Sequence, residues 1–381
     1  MKVLYLTVPS FFDLEISLIR ELEKVCDISV ILFVSPQSMH SSAFDINQLP
    51  ANATIIKASK FEEMNKYKGL INLEKWLVAN NPDNSVLSSI TLTRQIKRII
   101  KEEKYDIIHS STECKSSLFL APTIKKFKNT LYTLHDPFPH KRISKFRKWF
   151  SYDLMFFCYK NLLLLSDSLA PMFKEKYRNK YHKLYYSDLS IYDFLLSYDK
   201  HPNKYGKYIL FFGRIDEYKG VDLLLKAFPC SDASKQDIKL VVAGKVASYY
   251  DIDFKQDDNI IYLNKYISNE ELANLINHSM FVVLPYKTAT QSGCVFSAFA
   301  FNKPILATRV GDLPLKINNK VGYIIEPNDV SAIISGINIM LKSDLQEKSD
   351  NIRDRYSDGG ELGWSKIAQN LVDTYREIME G

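Results

Sequence analysis

The sequence predicts an α/β protein with two Rossmann-like domains, and three observations lead to this prediction. Short apolar runs alternate with amphipathic, helix-like segments from the first residues onward, which is typical of βαβ units around a parallel sheet. The chain has 381 residues, more than one ordinary core holds and enough for two domains. The alternation is interrupted at 179–206, where tyrosines and polar residues show no clear period. We therefore expect the chain to cross between the domains in that region.

The first domain is predicted at 1–190, as a doubly wound sheet in which strands and helices alternate along the chain. The predicted elements are a strand at 3–8, a helix at 14–25, a strand at 28–34, a helix at 93–103, a strand at 106–109, a helix at 116–127 and a strand at 130–134.

The second domain is predicted at 207–345. It begins with an apolar strand at 208–212, and Lys219-Gly220 then opens an amphipathic helix. A last segment, 360–381, has apolar residues at helical spacing and predicts a closing helix. Ligands of parallel sheets bind beyond the carboxyl ends of the strands, so we expect a ligand cleft between the two domains.

The loop after the strand at 208–212 carries two cations, Arg214 and Lys219, just before a helix begins. This junction of a strand end and a helix amino terminus is where α/β proteins hold phosphates, and fixed positive charge adds to the attraction. The loop therefore fits a diphosphate. The alternative is that each cation pairs with a nearby carboxylate, of which Asp216 and Asp222 are examples.

A second junction lies at 285–293, between an apolar strand and a helix that begins near Val295. Its small hydroxyl residues and Gly293 offer backbone amides and side-chain donors to phosphate or sugar oxygens. An ordinary loop with a helix cap is the alternative.

Composition excludes several classes of protein. With 46% hydrophobic and 25% charged residues the chain is globular, and no apolar run reaches membrane-spanning length. The first residues have neither a long apolar stretch nor a small-residue cleavage site, so we expect no secretory signal, and the 5 cysteines are scattered without a paired spacing. We expect a cytoplasmic, reduced protein without a disulfide framework or a zinc site.

The formal net charge of +6 is mildly basic, and part of it is concentrated at 140–157. There lysines and arginines are interleaved with Phe146, Trp149 and other apolar residues, as in a helix that lies on an anionic membrane surface. The alternative is a solvated basic helix whose aromatic face packs on its own domain. No recognised nucleic-acid module accompanies the segment, so we expect no nucleic-acid partner.

The carboxyl half also resembles a known family. The segments GRIDEYKGVDLLLKAF, VVAGK, YISNEELANLINHSMFVVLPY, TQSG and KPILATRVGDLP, in this order between Tyr208 and Glu326, resemble the donor-binding half of glycosyltransferase family 4. The resemblance implies GT-B architecture, in which the closing helix crosses back onto the first domain. It also implies retaining transfer of a sugar from a nucleoside-diphosphate donor to a glycan or lipid-linked acceptor, in surface polysaccharide synthesis.

By this resemblance Arg214 and Lys219 bind the pyrophosphate. Two cations can replace the metal ion that other sugar transferases use, so we expect metal independence and no cofactor. A rival metal signal, Asp251-Ile-Asp253, lies in a polar stretch and is interpreted as a solvated loop.

The resemblance further implies that His135 contacts the donor sugar or the acceptor; a hydrogen-bonded structural histidine is the alternative. His109 and Glu113 are weaker candidates for the wall of the cleft. The implied donor contacts are Gly213, Gly244, Lys245, Ile267, Glu271, Thr290, Gln291, Ser292, Gly293 and Ser297.

The sequence departs from the family in two places. Two glutamates separated by seven residues are common in members, but Ala289 and Ser297 stand at these positions; the usual Gly-Gly pair after the first strand is replaced by Pro9-Ser-Phe-Phe-Asp13. Two alternatives therefore stay open: a binding protein that keeps the donor pocket without turnover, and a nucleotide-sugar epimerase. The base, the sugar and the acceptor are not distinguished.

Overall fold

The computed structural model describes two compact units of the chain. The first comprises Met1–Leu189 with Trp364–Gly381, and the second comprises Ser190–Gly363. The described residues are 1–41, 43–112, 114–135, 154–165, 170–178, 180–181, 183–198, 202–254, 257–289 and 292–381. Three sequence candidates, Glu113, Thr290 and Gln291, lie outside them, as does the basic segment except for 154–157.

The first unit is built on one eight-stranded sheet with the order β3-β4-β2-β1-β5-β6-β7-β8. Neighbouring strands are parallel, except that β3 runs antiparallel to β4. The strands are β1 Lys2–Thr7, β2 Asp27–Val34, β3 Thr54–Lys57, β4 Trp76–Asn80, β5 Ile107–Ser110, β6 Thr130–Leu134, β7 Asn161–Leu164 and β8 Lys183–Tyr186.

The helices of this unit are α1 Phe12–Val25, α2 Val86–Glu103, α3 Lys115–Ile124 and α4 Ala170–Lys176, together with the C-terminal helix Trp364–Glu380. Helix α2 begins seven residues before the predicted position (93 − 86), because Ser85 accepts a hydrogen bond from the Ser88 amide and caps it. Strands β3, β4, β7 and β8 were not predicted from the sequence. Strand β8 lies inside the region where the crossing was predicted.

The C-terminal helix packs in the first unit, mainly against α1. Its buried residues recur three or four positions apart, as the helical period requires when one face is covered. They include Ile367, Leu371, Tyr375 and Ile378. The predicted closing helix and its return to the first unit are therefore confirmed.

The second unit is built on one six-stranded parallel sheet with the order β11-β10-β9-β12-β13-β14. The strands are β9 Tyr208–Phe212, β10 Lys239–Ala243, β11 Ile260–Leu263, β12 Val282–Leu284, β13 Ile305–Thr308 and β14 Gly322–Ile325. The helices are α5 Val221–Ala227, α6 Asp232–Lys235, α7 Asn269–His278, α8 Gly293–Ala300, α9 Leu313–Lys316, α10 Val330–Lys342 and α11 Leu345–Tyr356.

Both sheets are of the Rossmann-like type that the sequence predicts. In the second, strands β9, β10 and β11 build outward in one direction, and the chain then returns to place β12 on the other side of β9. Loops that leave neighbouring strands in opposite directions open a crevice at such a switch point. Among the described residues, no helix is both long and apolar enough to cross a membrane.

Candidate functional site

The loops that follow β9, β10 and β12 come together beyond the carboxyl ends of these strands, and two glycines bring them into contact. Gly244 has φ +150°, and a Cβ atom there would lie 2.0 Å from the Gly213 carbonyl oxygen. Gly220 has φ +67°, and its Cβ would lie 2.0 Å from the Pro285 carbonyl oxygen. Any side chain would push the loops apart, so these positions require glycine.

Lys219 is the buried cation of this loop cluster. The residue is only 8% exposed, and its Nζ donates a hydrogen bond of 3.0 Å to the Tyr286 hydroxyl. Nζ also lies 3.8 Å from Cys294 Sγ, while no carboxylate of the described residues is within ion-pair distance of it. A buried positive charge is costly unless an anion compensates it. The position therefore suits an anionic ligand.

The protonation of Lys219 is set by opposing effects. Burial acts to lower its pKa, but negative charge on Cys294 or Tyr286 and the hydrogen bond to the Tyr286 oxygen act to raise it, and the net pKa lies above the ordinary lysine value. Burial also raises the pKa of Tyr286. The direction of the shift in the pKa of Lys219 therefore favours its ammonium form.

Arg214 has a different environment. Its side chain is 62% exposed, and Nη2 lies 3.2 Å from Oδ2 of the buried Asp216. The same oxygen accepts a hydrogen bond from the Tyr249 hydroxyl. The alternative that the sequence left open, pairing with a nearby carboxylate, is thus observed for Arg214 and not for Lys219.

The amino terminus of α8 completes the cluster. Ser292 directly precedes α8. In the described part of the chain its side chain does not cap the helix, and its Oγ lies 3.1 Å from the Tyr286 hydroxyl. Gly293 packs against Tyr192, and a Cβ at this position would lie 3.0 Å from the Tyr192 hydroxyl. The first turn has no acidic residue. A helix start of this kind attracts anions.

The two positions that lack the family's glutamates differ in their surroundings. Ser297 is buried in α8, and its hydroxyl donates a 3.3 Å hydrogen bond to the Gly293 carbonyl of the preceding turn. Ala289 is partly exposed at the end of the loop after β12. Neither position supplies a carboxylate to the loop cluster.

The remaining predicted donor contacts follow β10 and β11. Gly244 is buried, the exposed Lys245 comes next, and the half-buried Ile267 lies in the loop before α7. Glu271 lies in the first turn of α7, where its Oε1 is 3.0 Å from Lys265 Nζ and its amide is capped by Ser268. The structure thus gives Glu271 a helix-terminal ion pair.

His135 lies in the first unit, directly after β6, with 11% of its side chain exposed. Its Nε2 is 3.2 Å from Glu15 Oε1, and its ring stacks on Phe11 with centroids 3.6 Å apart. Glu15 was not predicted from the sequence as a site residue. A signal existed, because Glu15 interrupts the apolar face of α1 that Leu18 and Leu22 continue.

His109 has the geometry of a structural residue. It is fully buried, with Nδ1 2.6 Å from the Tyr375 hydroxyl and Nε2 2.7 Å from Thr133 Oγ1. Burial, together with the charge of His135, lowers the pKa of His109 to about 3. The residue is therefore neutral and links the sheet of the first unit to the C-terminal helix.

The aspartates of the rival metal signal border a cavity of about 700 Å³ in the second unit, and Glu217 and Lys287 of the loops after β9 and β12 also line it. Asp251, Asp253 and Asp257 share its wall with Tyr250 and Tyr262. Within the described residues, no group of three or more His, Cys, Asp or Glu side chains converges as metal ligands would. The polar loop therefore forms part of the cavity wall.

Comparison with known proteins identifies the family. A family profile described as Glycosyl transferases group 1 matches residues 206–343, and one described as Glycosyltransferase Family 4 matches residues 58–171. Together they cover parts of both units.

Curated relatives match over part of their length. An uncharacterized glycosyltransferase of Methanocaldococcus jannaschii is 26% identical over 189 residues, which is 46% of each chain. The GDP-mannose:glycolipid 4-beta-D-mannosyltransferase of Xanthomonas campestris pv. campestris is 26% identical over 180 residues, 45% of this chain and 49% of the relative. The matched part thus spans about half the length of these curated relatives.

Solved structures match over the whole chain. A glycosyltransferase from Rickettsia africae has a TM-score of 0.66 at 15% identity, covering 100% of this chain and 99% of that one. Anabaena HepE in complex with UDP has a TM-score of 0.65 at 13% identity, covering 99% and 100%. At these identities the likeness shows the fold. With its two parallel-sheet units and its two matching family profiles, the chain belongs to glycosyltransferase family 4 and has the GT-B fold.

Proposed function

We propose that the protein is a retaining, metal-independent glycosyltransferase that moves a sugar from a nucleoside-diphosphate donor to a glycan or lipid-linked acceptor in surface polysaccharide synthesis. The observation that carries the proposal is Lys219, a buried ammonium group with no carboxylate partner among the described residues, at the switch point of a parallel sheet. A diphosphate supplies the missing negative charge.

The chemistry follows from charge. As the nucleoside diphosphate leaves, negative charge grows on its oxygens and positive charge develops at the anomeric carbon. Lys219 and the amino terminus of α8 lower the energy of the departing anion. Arg214 adds to this when its exposed guanidinium turns from Asp216 to the ligand, while the buried Asp216 carboxylate keeps the hydrogen bond from Tyr249.

Relatives support the donor and acceptor classes. The Xanthomonas protein is named for a GDP-mannose donor and a glycolipid acceptor, and Anabaena HepE was solved with UDP-glucose. For this chain we propose a nucleotide sugar as donor and leave the base and the sugar open.

Thermal shift against a panel of nucleoside diphosphates and their sugars tests the donor site. A ligand present at 100 times its Kd stabilises the folded state by about 2.7 kcal/mol. We expect one nucleotide class to raise Tm with and without a chelator, and Lys219→Ala to abolish the shift. Lys235→Ala, an exposed lysine of the same unit, is the matched control. No shift with any nucleotide would contradict an intact donor pocket.

Retention and metal independence need a separate measurement. We expect NMR of the product to show the anomeric configuration of the donor, with the rate unchanged by a chelator. An inverted product would contradict retention, and a strict need for a divalent ion would contradict metal independence.

A second candidate, a binding protein without turnover, is favoured by Ala289 and Ser297, since neither supplies a carboxylate and the Ser297 hydroxyl is engaged by its own helix. Such a protein would show the same thermal shifts but release no nucleoside diphosphate from any donor or acceptor mixture.

The proposal also includes contact between the segment 140–157 and an anionic membrane, which would place the protein in the cytoplasm at the inner face of the membrane. In the described part of the segment, Phe157 is 61% exposed and Lys125 Nζ lies 3.2 Å from its ring centroid. An aromatic ring beside a cation suits a lipid interface. We expect flotation with anionic liposomes at low salt; absence of flotation there would remove this part of the proposal.

A further inference from the structure

Glu15 is a buried carboxylate in the middle of helix α1. It is only 2% exposed, on a helix face that is otherwise largely apolar. An ionised carboxylate in such a place destabilises the fold unless several donors satisfy its oxygens. Its presence therefore needs a physical reason.

Both oxygens of Glu15 are satisfied. Oε1 accepts a 2.9 Å hydrogen bond from the Tyr5 hydroxyl and lies 3.2 Å from His135 Nε2. Oε2 accepts a hydrogen bond from Thr7 Oγ1. Tyr5 and Thr7 belong to β1, so the strand fixes the carboxylate, and the carboxylate in turn fixes the histidine.

The ring of His135 has two further neighbours, the Phe11 ring and a small cavity. Phe11 stacks on one ring face at an interplanar angle of 14°. The space beside the Glu15–His135 pair is a cavity of about 10 Å³, lined in part by Leu163 and Leu165. A space of this size holds at most one water molecule.

Phe11 is a feature of this chain that its family resemblance does not supply. Phe11 stands in the segment that replaces the usual Gly-Gly pair, and Glu15 follows within the first turns of α1. A glycine loop has no ring to stack on His135. The two residues together make a support for the histidine from the amino-terminal side of α1.

We propose that Glu15 is a positioning residue for His135. Its carboxylate accepts a hydrogen bond from Nε2–H and fixes the ring plane, so that Nδ1 of this tautomer is the nitrogen that accepts a hydrogen bond from a hydroxyl group of the sugar substrate. This inference rests on the proposed function, because His135 has a sugar to contact only if the protein handles one.

A double-mutant cycle tests the inference. The variants are Glu15→Leu, which removes the acceptor, Glu15→Gln, which keeps an acceptor oxygen, His135→Asn, and the double variant Glu15→Leu/His135→Asn. Turnover is measured as nucleoside-diphosphate release from UDP-glucose and from GDP-mannose, and binding of UDP and GDP alone is measured by thermal shift. Glu21→Leu is the matched control, because Glu21 is a second buried glutamate of α1 and pairs with Lys24.

We expect Glu15→Leu to lower kcat/KM about tenfold, the effect of losing one hydrogen bond to a charged group. Glu15→Gln should retain most of the activity, and Glu21→Leu should leave it unchanged. The double variant should be no slower than His135→Asn alone, since Glu15 acts through the histidine. Binding of UDP or GDP should be the same in all variants, because these ligands have no sugar to be transferred.

Three outcomes overturn the inference. If Glu15→Leu lowers kcat/KM as much in the His135→Asn background as in the wild type, Glu15 does not act through His135. If it weakens UDP or GDP binding together with turnover, the residue is structural. If the wild type neither binds nor turns over any sugar nucleotide, the proposed function fails and this role fails with it. Glu15→Met, whose unbranched side chain is closer to Glu in shape, replaces Glu15→Leu if the latter does not fold.

Discussion

At the residue scale, the two cations that the sequence treats alike are different in the structure. Lys219 is buried against Tyr286 and Cys294, whereas Arg214 is exposed and paired with Asp216. The difference follows from the backbone, because Gly220 lets the loop after β9 pack on Pro285 and so encloses Lys219. We therefore assign the larger share of diphosphate binding to Lys219.

Gly244→Ala should disrupt the loop cluster. Its Cβ would lie 2.0 Å from the Gly213 carbonyl oxygen at a φ of +150°, so the backbone must shift, at a cost of about 3 kcal/mol or more in the free energy of unfolding. Denaturant unfolding and nucleotide thermal shift measure the loss of stability and of binding.

Gly206→Ala is the matched control. Gly206 also has a positive φ, +73°, but a Cβ there would meet no heavy atom within 4 Å, so we expect a cost of only about 1 kcal/mol. Equal costs for the two variants would show that φ alone, and not the contact between the loops, requires glycine.

His109 predicts a loss of stability in acid. Its pKa is about 3 in the folded state against an ordinary 6.5, so below pH 6.5 the unfolded chain takes up a proton that the folded chain refuses. Above pH 6.5 the difference in proton uptake does not affect the free energy of unfolding. As the pH falls from 6.5 toward 3, the difference lowers the free energy of unfolding progressively, by at most about 1.4 kcal/mol per pH unit. We expect Tm to fall less steeply between pH 6.5 and pH 5 in His109→Gln than in the wild type. Parallel Tm curves would contradict the assignment.

At the scale of elements, helical period was the most reliable signal. The C-terminal helix was predicted from apolar spacing alone, and the structure shows that spacing as one buried face against α1. The short strands β7 and β8, with four residues each, were missed. Four residues give little alternation to distinguish a strand from a loop, although the equally short β5 was predicted.

Leu371→Ala in the C-terminal helix should destabilise the first unit by about 3 kcal/mol, because a buried leucine leaves a cavity in a packed interface. Asn370→Ala, an exposed position on the same helix, should cost about 0.5 kcal/mol or less. Denaturant unfolding measures both. Equal effects would contradict the packing of this helix face.

At the scale of the whole molecule, the two sheets have different tasks in the proposed function. The second unit carries Lys219 and the amino terminus of α8, which suit the nucleoside diphosphate. The first carries His135 with Glu15, which we propose to serve the sugar.

Hydrogen exchange on the full chain tests this division. We expect a nucleoside diphosphate without a sugar to protect amides at 213–220, 244–247 and 292–297, where the loops meet, because a bound anion suppresses local opening. Lys219→Ala should lose this protection. Protection at 249–254, in the wall of the cavity that Asp251 and Asp253 border, without protection at 292–297 would move the nucleotide to that cavity.

Much of the fold could be predicted because it depends on local pattern. The alternation of apolar strands with amphipathic helices predicted two Rossmann-like units, because hydrophobic period is a property of neighbouring residues. The order of five motifs predicted the family. Parallel sheets and two of the glycines at their strand ends could be predicted, but the order of the strands could not.

The sequence alone therefore determined the fold class, the family and the positions of the cations and the histidine. Only the tertiary structure decided that Lys219 is buried without a carboxylate partner among the described residues, that Arg214 is paired with Asp216, and that Glu15 supports His135. The physical reason is distance along the chain: Glu15 and His135 are separated by 120 residues, and burial and hydrogen bonding between such residues depend on how the strands are ordered in the sheet.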